Sequence, residues 1–229
     1  SCTLKKKNSE LAPMLNILIA DDHFTVRVGL EMLTRSIPGD GFQFDHAASG
    51  GELLNKLSLK KYDLLFMDMQ MPEPNGLFLL ERVRDQYPSL SILVLSVHSE
   101  DVFSAKCLQL GARGYISKNE NDDILKYAIT EVMAGRKYLS DKILNNYAGI
   151  DGTPNPFLQL SARELDVTML LLRGMGVLEV ANALGINSST ASTFKGRIFK
   201  KLQVNSLYEL EQLSKQHNVF SPGGAGAGR

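Results

Sequence analysis

The chain has 229 residues, of which 44% are hydrophobic and 22% charged, with a formal net charge of zero. Those proportions exclude a disordered or collagen-like polypeptide, and no apolar run nears the roughly 18 residues of a membrane span. Cys2 and Cys107 are the only cysteines, too few for a disulfide scaffold, and there is no charged start followed by a short apolar core as in a signal peptide; a cytoplasmic protein without a membrane partner is expected.

Ser1 to Pro13 is polar and aperiodic, so residues 1–13 are predicted to be a flexible tail, with Met14 a candidate start and Lys5-Lys6-Lys7 a solvated charge run. The next stretch alternates. Short apolar runs at Ile17–Ile19, Phe42–Ala47, Leu64–Met67, Ile92–Leu95 and Gly114–Ile116 are separated by segments of helical spacing, such as Val26, Leu30 and Leu33, or Ile124, Leu125, Ala128, Ile129 and Val132. Five strands alternating with five helices predict an α/β domain over residues 14–135, a five-stranded parallel doubly wound sheet of flavodoxin-like type. In such a sheet the chemistry gathers at the carboxyl ends of the strands.

Gly149, Gly152, Pro154 and Pro156 mark a linker over residues 136–156, with a short helix predicted at Ser140–Tyr147. Beyond it the strand-like runs disappear, and an all-α domain of four helices with a helix-turn-helix is predicted over 157–220. Ser161 and Glu164 form a capping box before a stripe of Leu165, Met169 and Leu172. Leu178–Leu184 is a short second helix, Gly185-Ile186-Asn187 a tight turn, Ser188–Leu202 a third helix and Ser206–Gln216 a fourth. "SPGGAGAGR", residues 221–229, reads as a second flexible tail. Charge divides the same way, with 11 basic against 17 acidic residues over 14–135 and 7 against 5 over 157–217.

The acidic part carries the chemistry. "ILIADDH" sets Asp21 and Asp22 at the end of the first strand, and "LLFMDMQMP" sets Asp68 at the end of the third. If those strands are neighbours, roughly 4.8 Å apart, three carboxylates converge. Like charges so placed call for a cation, and hard oxygen ligands suit Mg²⁺; Asp68 is then a candidate nucleophile towards phosphorus. Ser96 ends the fourth strand and Lys118 the fifth, where a hydroxyl and an ammonium can meet phosphoryl oxygens.

With "ILIADDH", "DLLFMDMQMP", "NGL", "VLSVHSE" and "GARGYISK" in place, residues 14–135 closely resemble the receiver domain of bacterial two-component response regulators. The resemblance implies Asp68 as phosphoacceptor for a sensor histidine kinase. It implies Asp21, Asp22, Asp68 and the Gln70 carbonyl as Mg²⁺ ligands, Ser96 and Tyr115 as switch residues, and Lys118 as the phosphate-pairing cation. Val97, where relatives often carry alanine, is expected to slow phosphoryl entry and hydrolysis.

"LSARELDVTMLLLRGM", "EVANALGINSSTAS" and "KKLQV" likewise resemble the LuxR and FixJ type of DNA-binding domain, whose second helix-turn-helix helix enters the major groove of double-stranded DNA. In Ser188–Leu202, the residues Ala191, Phe194, Ile198 and Leu202 fall at core spacing, leaving Ser188, Ser189, Ser192, Thr193, Lys195, Arg197, Lys200 and Lys201 as candidate DNA contacts. Ser192 and Phe194 depart from residues common in that family, and Gly196 costs about 1 kcal/mol relative to alanine within a helix. A homodimer formed on phosphorylation, bound to paired half-sites, is therefore expected.

The leading expectation is a phosphorylation-controlled transcription factor. The alternative is a phosphorylation-gated protein-interaction regulator whose DNA-binding domain is degenerate. An aspartyl phosphohydrolase needs a second acid beside the nucleophile, and Met69 and Gln70 offer none, so no enzyme is expected.

Overall fold

The computed structural model describes residues 14–39, 41–72, 76–96, 102–140, 155–217 and 219. The predicted helix at 140–147 falls outside them except for Ser140, as do both tails and Val97.

Five strands, β1 (Leu15–Ala20), β2 (Phe42–Ala47), β3 (Leu64–Asp68), β4 (Ser91–Ser96) and β5 (Gly114–Ser117), form one all-parallel sheet in the order β2-β1-β3-β4-β5. The central strands β3 and β4 are buried along almost their whole length, which is why their sequences are continuously apolar rather than alternating. Helices α1 (Phe24–Arg35) and α5 (Asp122–Met133) cover one face, packing on Ile17, Ile19, Phe66, Leu93 and Ile116. Helices α2 (Gly50–Leu59), α3 (Gly76–Gln86) and α4 (Val102–Gln109) cover the other, on Leu18, Leu65, Met67, Val94 and Tyr115. Period-two alternation along each strand divides these two sets. After α5 the chain returns to the sheet edge, where Tyr138 N donates to Arg113 O at 2.8 Å.

The second helical unit opens with a 3-10 turn, Pro156–Gln159, which periodicity alone did not reveal. Helices α6 (Ala162–Leu172), α7 (Val177–Ala183), α8 (Ser188–Leu202) and α9 (Leu207–Gln216) follow. The capping box forms as expected, with Ser161 Oγ accepting from Glu164 N and Glu164 Oε2 accepting from Ser161 N. Gly185, at φ +57°, turns the chain between α7 and α8 in a region that favours glycine. Leu165, Met169 and Leu172 are buried as their stripe predicts, but so are Asp166, Val167 and Thr168 on other faces of α6. A helix buried nearly all round has a second neighbour. Here it is the receiver, since α6 lies against α3 and both units share one apolar cluster. Among the described residues no helix is long and apolar enough to cross a membrane.

Candidate phosphoacceptor pocket and DNA-reading helix

The sheet order makes β1 and β3 neighbours, with Ala20 opposite Met67, so the residues that follow, Asp21 and Asp68, emerge side by side. Both are buried, with exposures of 0% and 1%. Two buried carboxylates repel each other and lose water, and a cation has to offset both costs. Lys118 supplies it. Its Nζ lies 2.6 Å from Asp21 Oδ2 and 2.8 Å from Asp68 Oδ2.

Sheet register delivers that lysine. Ser96 at the end of β4 pairs with Ser117 on β5, and Lys118 N donates to Ser96 O at 2.8 Å. Burial is the largest influence on Asp68 and raises its pKa, with Asp21 adding to the rise while Lys118 and the Gln70 amide oppose it. Burial alone would lower the Lys118 pKa, but hydrogen bonds and charge attraction from Asp21 and Asp68 prevail and hold it above the ordinary lysine value.

The rim adds further groups. Gln70 is exposed just beyond the strand, and its N–H donates to Asp68 Oδ1 at 3.1 Å. Asp22 is exposed, and His23 Nδ1 lies 2.8 Å from Asp22 Oδ1. One ligand atom from each of Asp21, Asp22, His23 and Asp68 lies within 4.8 Å of the others. The carboxylate oxygens of this set fit a hard divalent cation. Ser96 and Tyr115 are both fully buried, and Tyr115 is part of the core on the α3–α4 face.

Two participants are absent from the sequence reading. His23 joins the acidic cluster because it directly follows Asp21-Asp22, and Arg27 Nη1 donates to Asp21 O at 2.6 Å from the first turn of α1. Adjacency to the carboxylates was the available signal for His23. Arg27 carried none beyond its placement in the first turn of a helix.

On α8, Ser188, Ser189, Ser192, Thr193, Arg197 and Lys200 are all exposed. Ala191, Ile198 and Leu202 are buried, and Phe194 is half-buried against the core. The remaining two candidate contacts are engaged within the domain. Lys201 Nζ pairs with Glu164 Oε2 at 2.6 Å, and Lys195 Nζ lies 5.3 Å from the centre of the Phe199 ring. Gly196 is exposed, with nothing within 4 Å of where its Cβ would be. On α9, Leu210 is buried, whereas Leu207 and Tyr208 remain exposed.

Comparison with known proteins matches both units. Residues 17–130 fit the response regulator receiver domain, and residues 158–214 fit the bacterial regulatory proteins of the luxR family. The chain is 30% identical over 210 residues to the response regulator UvrY of Escherichia coli K12, covering 90% of this chain and 96% of that protein. It is 32% identical over 211 residues to the response regulator GacA of Pseudomonas viridiflava, covering 90% and 98%. Among solved structures, one of the response regulator RcsB from Salmonella typhimurium superposes with a TM-score of 0.70 at 25% identity, over 89% of this chain and 98% of that one. Another, of RcsB from Salmonella enterica serovar Typhimurium bound to promoter P1flhDC in the presence of phosphomimetic BeF3-, gives 0.66 at 27% identity, over 89% and 100%. The chain belongs to the two-component response regulators of the NarL/FixJ type, DNA-binding transcription regulators that join a receiver domain to a LuxR-type helix-turn-helix domain.

Proposed function

We propose that Asp68 is the phosphoacceptor, taking a phosphoryl group from a phosphohistidine of a sensor histidine kinase. A carboxylate oxygen of Asp68 attacks phosphorus, the P–N bond breaks, and the imidazole leaves with the bonding electron pair. The observation that carries this reading is the Lys118 ammonium held between Asp21 and Asp68. A cation so placed favours the ionised form of the nucleophile and is positioned to pair with the phosphoryl oxygens.

Asp21, Asp22 and Asp68 would hold Mg²⁺ together with the Gln70 carbonyl; bound there, the ion screens the approaching phosphate from the carboxylates. Ser96, one residue across the sheet from the Lys118 strand end, offers its hydroxyl to the same oxygens. Tyr115, buried on β5 two residues before Ser117, is the aromatic that would repack with it. We take 14–135 as the receiver, 136–156 as the linker, 157–220 as the DNA-binding domain, and 1–13 and 221–229 as tails. The cytoplasm is the compartment this reading requires.

The exposed residues of α8 read double-stranded DNA, Ser188, Ser189, Ser192 and Thr193 at the helix start and Arg197 and Lys200 further along. Lys195 and Lys201 serve chiefly within the domain, which leaves few phosphate contacts per copy and favours a homodimer on paired half-sites. Incubation with acetyl phosphate and Mg²⁺ should label the wild-type chain and leave Asp68→Asn unlabelled; full labelling of the variant would refute the site. Selection of bound DNA fragments with the phosphorylated chain should enrich one sequence, and no enrichment would favour the protein-interaction alternative.

A further inference from the structure

His23 stands where a helix cap is wanted and does not cap. It is the residue before α1, in extended backbone at φ −89° and ψ +114°, and its side chain makes no capping hydrogen bond to that helix. Serine, threonine, aspartate or asparagine at such a place would accept from an N–H of the first turn. The His23 ring turns instead towards the two preceding carboxylates, with Nδ1 2.8 Å from Asp22 Oδ1 and 3.3 Å from Asp21 Oδ1.

Asp21 is held from three sides. His23 N donates to Asp21 Oδ1 at 2.8 Å, Arg27 Nη1 donates to Asp21 O at 2.6 Å, and Lys118 Nζ lies 2.6 Å from Asp21 Oδ2. The carboxylate edge that faces the ring is therefore fixed in orientation. An ion pair between exposed groups such as Asp22 and His23 contributes little by itself, and the same arrangement has a stronger use. In an octahedral site with bonds of about 2.1 Å, adjacent donor atoms lie about 3.0 Å apart. The two separations from Nδ1 fall on either side of that value. Asp68 completes the group, since one ligand atom from each of the four residues lies within 4.8 Å of the others. Asp21 and Asp68 form its buried floor, and the ring reaches it from the rim with a side chain 66% exposed.

From this geometry we infer that His23 is a further ligand of the divalent cation, binding it through Nδ1, and that it tunes the pocket towards transition cations over Mg²⁺. The inference rests on the reading of Asp21, Asp22 and Asp68 as the carboxylate ligands of that cation. Mg²⁺ is a hard ion that favours oxygen and keeps several waters, so an imidazole adds little to its binding. Ni²⁺, Fe²⁺ and Zn²⁺ take imidazole readily, and one nitrogen among the oxygens raises their affinity while leaving that of Mg²⁺ almost unchanged. With Nδ1 on the ion, the proton of the neutral ring sits on Nε2. Occupancy of the pocket then follows the supply of transition cations as well as that of Mg²⁺.

The test uses Ni²⁺ and Mg²⁺ with the full chain. Calorimetric titration gives both affinities, competition between the two ions places them in one pocket, and ¹H NMR shows hyperfine-shifted ring protons where an imidazole is bound to Ni²⁺. His23→Asn supplies the missing α1 cap and should fold at least as well as the wild type. His23→Ala removes every donor atom of the side chain. In both variants the ratio of Ni²⁺ to Mg²⁺ affinity should fall at least about tenfold, the lower end of what losing even an outer partner of a metal ligand costs. The shifted ring signals of the Ni²⁺-loaded wild type should vanish with it. An unchanged ratio in the two variants, Ni²⁺ that excess Mg²⁺ does not displace, or ring signals that persist without His23 would overturn His23 as a ligand and leave the carboxylate site standing. A wild-type chain that binds neither ion would overturn the carboxylate site and the inference with it.

Discussion

Asp68 and Asp166 are both buried carboxylates, and they are satisfied by opposite means. Asp68 meets a full positive charge, the Lys118 ammonium, from the end of β5, two strands away in its own sheet. Asp166 meets two backbone N–H groups at the start of a helix in the other domain. A full charge in a crowded pocket responds when another charge arrives there. Partial charges fixed in a helix terminus have no such response, and they can only be released when the helix and the carboxylate part. The first arrangement suits a receiver of phosphate, the second a joint between domains.

The comparison can be broken most forcefully at Lys118. Lys118→Met leaves Asp21 and Asp68 buried without their ammonium, and losing one partner of a buried ion pair costs about 3–5 kcal/mol. Urea unfolding should show that loss, and added Mg²⁺ should restore part of it if the same carboxylates hold the ion. No change in stability would mean that Lys118 does not carry the pocket's charge balance.

The seam should respond to pH. Burial, the largest influence, pushes the Asp166 pKa up from 3.8 to about 7, against the pull of the Leu77 and Phe78 amides and of Arg163, and with Glu81 adding to the rise. Undocked and solvated, the group returns to the ordinary carboxylate range. Docking therefore takes up a proton between those two values, is favoured most below the lower one, weakens as pH climbs towards 7, and levels off above it. Small-angle scattering should give a larger radius of gyration at pH 8 than at pH 5.5, and Asp166→Asn should remove most of the difference.

Smaller effects sharpen the contrast within the DNA-binding domain. Ser161→Ala removes the α6 cap and should cost about 1 kcal/mol in thermal unfolding. Lys200→Ala should lower the slope of log affinity for DNA against log salt by about 1, the mark of one lost phosphate contact. Lys201→Ala should leave that slope nearly unchanged while destabilising the domain, because its ammonium is held by Glu164. Equal slopes for the two variants would put Lys201 back among the phosphate contacts.

The carboxylates and the lysine of the acidic pocket were legible because each stands at the end of a short apolar run, and a parallel sheet brings strand ends together. "LLFMD" is too apolar for its aspartate to be incidental, and strand adjacency does the rest. Asp166 gave no such signal. In "SARELDVTML" it reads as an ordinary polar residue on an amphipathic helix, and the periodicity that located Leu165 and Met169 assigned it no partner. The partner of Lys201 carried no signal for the same reason, since a cation late in α8 looks free until Glu164 of another helix is found beside it. Tyr115 shows an intermediate case: alternation placed it on a strand, and only the packing of α3 and α4 buried it completely.

Hydrophobic period and capping are local properties of the chain, so the α/β unit, the helical unit, the strand ends that carry the carboxylates and the extent of α8 could be read from the residues alone. Tertiary structure decided which cation answers which carboxylate, and that α6 has a second buried face. Those depend on surfaces distant in sequence meeting in space, and docking brings the N–H groups of Leu77 and Phe78 to a carboxylate 88 residues or more away along the chain.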